Sequence, residues 1–240
     1  MQTDDTPVRN AGTENIITIN DIKKNKEIVN YINKGNEYLG VLGFTEHGLN
    51  HAERVASKAG EILTFLGYDE RRAELAKIAG YLHDVGNCVN RMDHEQTGAI
   101  ISFRLLEKMG MEPNEIAEII NAIGNHDERT GLPTGPVSAA LILADKSDVR
   151  RSRVRYKHRN VESLSEDIHD RVNYAVKKSF LEVAGEDEKR ILRLNIEIET
   201  EISALMEYFE IFLSRMVMCR NAAEFLKMDF ELIVNGTRLN

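Results

Sequence analysis

The segment AKIAGYLHDVGN, Ala76 to Asn87, carries an apolar helical run straight into His83 and Asp84. A carboxylate at the end of a buried run needs a cation, a set of hydrogen bonds or solvent, because an unpaired buried charge is costly. The demand falls on the rest of the chain, which must bring partners to this point. Neighbours on a regular helix diverge by about 100°. His83 and Asp84 can therefore serve one site only where the helix ends, and Gly86 supplies that ending.

Other apolar stripes lead to the same residue types. A first helix reads from about Asp21 to Leu39, and a second opens at Thr45 or Glu46 and runs to about Leu66, with Gly67 closing it. On the second, Val55, Ala59, Ile62 and Leu66 form the buried face, and His51 precedes Val55 by one turn. The third carries Ala76, Ala79 and Gly80, small enough to let a neighbouring helix come close, and leads to His83. Asp93 reads as the N-cap of a fourth, running to Met109 and stopped by Gly110. In the fifth, with Pro113 near its start, Ile116, Ile119 and Ile123 lead to His126. In the sixth, Val137 and Leu141 lead to Asp145. Residues 20–155 thus read as an all-α bundle with short connections.

Composition then shifts. Two strand-like runs flank the turn-like AGEDEK, and the second places Leu192, Leu194, Ile196 and Ile198 on one face. A long helix follows, from about Thr200 to Leu226, and FELIVNGTRLN closes as a strand and a turn. The fold class expected is mainly α: a helical bundle with a small C-terminal α+β extension. Its parts are a flexible tail over 1–20, a helical metal-binding domain over 21–160, and the extension over 161–240.

Each polar residue alone has an ordinary explanation. A single His on an apolar stripe is usually a hydrogen-bonded core residue, and Asp145 could cap or pair with an Arg. Three imidazoles and two carboxylates from adjacent helices favour a metal centre instead. Such donors suit Mn, Fe, Zn, Ni or Co better than calcium. The formal net charge of −8 argues against a general nucleic-acid binder. Two cysteines make no disulfide framework, and no apolar run approaches the ~20 residues of a membrane span, so a cytoplasmic protein free of membrane is expected.

The order His51, His83-Asp84, Asp145, set in LNHAERVA, AGYLHDVGN and LILADKSD, resembles the signature of the HD-domain metal-dependent phosphohydrolases over about residues 45–150. The resemblance implies an all-α core in which these four side chains hold a divalent metal. HEQTGA, starting at His94, is similar to the His-x-x-x-Gly motif of members with two or more metals. NHDERTGLP, containing His126, resembles a segment of the HD-GYP subgroup, which hydrolyses cyclic dinucleotides. That second match is partial: Asn125 stands where another His is expected, and no Gly-Tyr-Pro is present. The resemblance leaves open two arrangements. In one, His94 and His126 bind a second metal bridged by Asp84. In the other they line the pocket and bind phosphate over a single ion.

Asn87 stands where many relatives carry Lys, and Lys146, Arg91 or Arg129 could supply the missing phosphate contact. Asp127 and Glu128, near the mouth, read as a solvated loop. The implied reaction is hydrolysis of a phosphoester of a small phosphorylated metabolite or nucleotide by metal-activated water, with Asp84, His94 and His126 as catalytic residues. The alternatives are a phosphodiesterase for a cyclic or signalling nucleotide, and a non-catalytic sensor module that binds metal or ligand. The run Arg150–Arg159, with six Lys or Arg in ten residues, has three readings: a solvated face, a basic rim for phosphate-rich substrates, or contact with the acidic C-terminal block. The apolar stripe of the long C-terminal helix fits core or a homodimer interface.

Overall fold

Small residues set how closely the central helices approach. The computed structural model describes residues 16–155, 168–185 and 190–240. In it, helix α3 (Leu49–Phe65) packs along α4 (Glu70–Leu82), after α1 (Ile19–Lys24) and α2 (Lys26–Val41). A Cβ added to Gly80 of α4 would lie 2.8 Å from the backbone N and Cα of Ala56 on α3. The glycine therefore brings two backbones into direct contact, as the Ala-x-x-Ala-Gly run predicts.

The expected single first helix is split at Asn25, whose side chain caps α2 by accepting from the amides of Glu27 and Ile28. The second begins at Leu49, later than the expected Thr45 or Glu46. Local hydrogen bonds compete with helix there: Glu46 accepts from the Gly48 amide, and His47 Nδ1 reaches the Thr45 carbonyl. Arg153 and Arg155 pin this loop by donating to the carbonyls of Glu46 and Phe44.

After α4 comes a 3-10 turn, Val85–Cys88, then α5 (His94–Met109), α6 (Pro113–Gly124) and α7 (Pro136–Lys146). Asp93 precedes α5 as expected, but in the left-handed region (φ 54°) and without a side-chain cap. Its carboxylate turns toward Arg129 instead, 3.5 Å away.

The extension opens with α8 (Ile168–Ala175), which runs into β1 (Val176–Ala184). There follow β2 (Ile191–Ile198), α9 (Leu205–Phe225), β3 (Asp229–Val234) and β4 (Thr237–Arg238). The sheet order is β1-β2-β3-β4. β1 and β2 are antiparallel, β2 and β3 parallel through the α9 crossover, and β3 and β4 antiparallel. Asn235 and Gly236, both at positive φ, make the last turn. Leu192, Leu194, Ile196 and Ile198 are buried together, as their alternation predicts.

α9 packs on α7 and β3, burying Tyr208, Phe212, Met216 and Cys219, so its apolar stripe is core. One continuous apolar core runs from Ile22 in the bundle to Val234 in the sheet. The described part of 20–155 is all-α; the chain as a whole is not, because of this sheet. Of the tail expected over 1–20, residues 1–15 lie outside the described residues, whereas Ile17 is buried and Ile19 opens α1, so the tail does not extend to residue 20. The proposed domain boundary at 160/161 and most of the AGEDEK turn also lie outside the described residues. Among the described residues no helix is long and apolar enough to cross a membrane.

Gly80→Val should destabilise the fold by roughly 1–3 kcal/mol, since the Ala56 backbone cannot yield. Gly124→Ala is the control, because a Cβ there meets only ordinary contacts at 3.9 Å. Urea unfolding of both variants checks the contrast.

Candidate metal centre

Helix ends carry the donors to one place. His51 lies in the first turn of α3, and His83 and Asp84 directly follow α4. His94 opens α5, His126 follows α6 by two residues, and Asp145 sits in the last turn of α7. Asp84 adopts φ −95°, ψ 4°, outside the helix, so it and His83 face the same point. A Cβ on Gly86 would collide with the His94 carbonyl, so this glycine admits the start of α5. All six residues are at most 8% exposed.

The distances describe two adjoining corners. His51 Nε2 lies 3.2 Å from His83 Nε2, 3.2 Å from Asp145 Oδ1 and 3.7 Å from Asp84 Oδ2. His83 Nε2 lies 3.3 Å from Asp84 Oδ2 and 3.6 Å from Asp145 Oδ1. A tetrahedron of N and O donors about 2.0–2.2 Å from a central ion has edges of about 3.3–3.6 Å, so these separations fit a cation at the centre. Asp84 Oδ2 is buried and makes no hydrogen bond. The other Asp84 oxygen, Oδ1, faces the second corner: His94 Nε2 is 3.4 Å away, and 3.2 Å from His126 Nε2.

The outer ring nitrogens explain why the inner ones point at one another. His51 Nδ1 donates to Asp148 Oδ2 at 2.7 Å. His83 Nδ1 donates to the Gly80 carbonyl at 2.7 Å, His94 Nδ1 to the Arg91 carbonyl at 3.1 Å, and His126 Nδ1 to the Ile123 carbonyl at 2.6 Å. An acceptor at Nδ1 places the proton there and turns the Nε2 lone pair inward. Two lone pairs 3.2 Å apart repel unless a cation lies between them. Burial works against protonating His83, but the Asp84 and Asp145 carboxylates outweigh it and push its pKa up to about 10. Burial favours neutral carboxyls, yet His83 beside Asp84, and Lys146 and His83 beside Asp145, hold both carboxyls well below their ordinary value. The centre attracts positive charge, and its donors fit a divalent metal.

Residues 48–153, which span all six donors, match the HD domain family. Over these residues the chain carries an HD domain. Ribonuclease Y of Lawsonia intracellularis is 40% identical over 107 residues, covering 44% of this chain and 18% of that protein. Ribonuclease Y of Staphylococcus epidermidis is 28% identical over 220 residues, covering 84% of this chain and 39% of that protein. An uncharacterised protein of Methanocaldococcus jannaschii is 28% identical over 155 residues, covering 55% and 59%. The chain thus spans between 18% and 59% of the length of these relatives. The crystal structure of a predicted HD superfamily hydrolase from an uncultured Thermotogales bacterium matches with a TM-score of 0.42 and 25% identity, covering 56% of this chain and 75% of that one.

The recess of the HD domain is lined by Asp84, His94, His126 and Asp145, and also by Arg91 and Lys146. It adjoins a cavity of about 450 Å³ between the loop Leu42–His47, helix α8 and helix α9. Arg91 Nη1 lies 3.3 Å from His94 Nε2, and Lys146 Nζ is 2.6 Å from Asp145 Oδ2. Arg129 lines the outer cavity and not the recess, and pairs with Asp127 at 3.0 Å. Asn87 is buried, and its amide donates to Asp84 Oδ1. Asp127 is buried and Glu128 half-buried, not solvated as expected, because both carboxylates engage arginines.

The described part of the basic run braces the fold and forms no free rim. Arg150 pairs with Asp148 and Arg151 with Glu199, the latter matching the expected contact with the acidic C-terminal block. Arg153 is buried against backbone carbonyls. Residues 156–159 lie outside the described residues. Three residues at the site were not singled out in the sequence, His47, Asp148 and Arg215, and Arg153 was read only as part of the basic run. His47 stands one turn before His51 and Asp148 one turn after Asp145, a spacing that could have marked them. Arg215 comes from α9, 70 residues beyond Asp145 (215 − 145), and only tertiary packing places it here.

In the metal-free protein, His83 binds its proton more tightly folded than unfolded, where it titrates near 6.5. Its contribution to stability is full below about pH 6.5 and is lost as pH rises through about 10. Chelator-treated protein should therefore lose stability between pH 7 and 9.5, whereas metal-loaded protein should not show this slope. Denaturant midpoints across that range check it.

Proposed function

We propose that this HD domain is a metal-dependent phosphohydrolase that cleaves a phosphoester of a small phosphorylated metabolite or nucleotide. The observation that carries the reading is the inward ring of four Nε2 atoms and two carboxylates, opening beside cationic side chains onto a cavity of about 450 Å³. When bound there, a divalent ion such as Mn, Fe, Zn, Ni or Co supplies Lewis acidity toward a phosphoryl oxygen and acidifies a water.

The remaining work falls to side chains. His51, His83, Asp84 and Asp145 hold the first ion. His94 and His126, with Asp84 Oδ1, are the candidates for a second. Asp84 reaches both corners and would orient a water there for attack. Arg91 offers positive charge at the edge of the second corner, and Lys146 at Asp145. The cavity is of a size that suits a small ligand.

A second reading, a phosphodiesterase, draws support from the Ribonuclease Y relatives, since a ribonuclease by name acts on a phosphodiester polymer. The walls contributed by α8 and α9 favour a small substrate over a long one. A sensor module without catalysis is the third outcome.

Chelated and metal-reloaded protein should be assayed against nucleoside monophosphates, bis-p-nitrophenyl phosphate and short RNA. The expected result is metal-dependent phosphate release from a monoester, reduced by at least roughly a hundredfold in Asp84→Ala. Cleavage of diesters alone would favour the second reading. No cleavage of any substrate would contradict both enzymatic readings.

A further inference from the structure

We propose that Arg215, carried by the C-terminal helix α9, grips the substrate's phosphoryl group, so that the extension completes the active site of the HD domain. The proposal rests on the phosphohydrolase reading and names the residue that binds the phosphate.

Lys146 is already the counter-ion of Asp145, with Nζ 2.6 Å from Oδ2. Arg153 is almost wholly buried, and its donors go to the carbonyls of Glu46 and Asp148. Arg129 is absent from the inner recess and is held by Asp127 and Asp93. Arg91 lies against the donor ring itself, 3.3 Å from His94 Nε2 and 3.7 Å from Asp84 Oδ1, and also donates to Asn87. Asn87 is neutral, and its amide is committed to Asp84.

Arg215 differs from all of these. Its Nε lies 2.5 Å from Glu128 Oε1, and its guanidinium sits over the Phe212 ring, 4.7 Å from the centroid. The carboxylate lies at one edge and the ring under one face; Nε is buried and makes no hydrogen bond, so Glu128 holds the group by charge. Its terminal nitrogens, Nη1 and Nη2, have no acceptor among the described residues. The side chain, like those of Arg91 and Arg153, lines both the inner recess and the larger cavity, and so stands where the two meet. Two parallel N–H groups match two non-bridging phosphoryl oxygens, which a lysine cannot reproduce.

Glu128 is the positioning residue. Its Oε1 holds Arg215, lies 4.0 Å from Lys146 Nζ, and its Oε2 accepts from the Ser214 hydroxyl at 3.2 Å. It ties the loop after His126 to α9. The phosphate-binding edge and the donor ring are thereby held in one frame, although they come from different parts of the chain.

The test is calorimetric titration of metal-loaded protein with inorganic phosphate, for wild type, Arg215→Gln, Arg215→Lys and Glu128→Gln. Metal content and unfolding midpoint are measured alongside. The expected result is phosphate affinity reduced about ten- to a hundredfold in Arg215→Gln, with metal content unchanged. Arg215→Lys should fall between that variant and wild type. Glu128→Gln, which keeps Arg215 but removes the carboxylate that positions it, should weaken binding, and this keeps the test decisive if Arg215→Gln does not fold. Wild-type phosphate affinity in Arg215→Gln, or in both other variants, would overturn the assignment of Arg215 and leave the phosphohydrolase reading standing. Failure of the metal-loaded wild type to bind phosphate would instead overturn that reading, and this proposal with it.

Discussion

Four imidazoles with their Nδ1 protons committed outward have nothing to offer one another inward except lone pairs. His51, His83, His94 and His126 are in that position, paired at 3.2 Å with two buried carboxylates among them. The ring is stable only around positive charge. Without a metal, a proton on His83 is held there by Asp84 and Asp145. The helix ends, the turn after Asp84 and the glycine at 86 can all be understood as means of bringing these donors within reach of one cation or two.

Much of this was legible in the sequence because it depends on local rules. Apolar stripes leading to His51, His83, His126 and Asp145 place each residue on a buried face. The small residues before His83 announce a close helix contact, which Gly80 and Ala56 make. The adjacency of His83 and Asp84 forecasts a helix end, and the end is there. Leu192, Leu194, Ile196 and Ile198 show their strand by alternation alone.

What was not legible depends on contacts between distant segments. Helix α3 starts late because side chains of Glu46 and His47, and two arginines over a hundred residues away (153 − 46 = 107), hold the preceding loop. The basic run after Asp145 looked like a rim, but Glu199, the partner of Arg151, and Glu46, whose carbonyl Arg153 holds, lie far from it in sequence. Glu128 looked solvated until α9 brought Arg215 against it. The extension follows the same logic. Its apolar stripe is readable as core, whereas the polar residue that faces the cavity carries no mark of its own.

The central claim is that the inward ring exists to hold transition-metal ions. Elemental analysis of protein purified without added metal or chelator, with Asp84→Ala beside it, tests that most directly. The account predicts one or two such ions per wild-type chain and a clear loss in the variant. Two ions would assign His94 and His126 to a second site, and one would leave them as pocket residues. A metal-free wild type that also fails to take up metal on reconstitution would contradict the account.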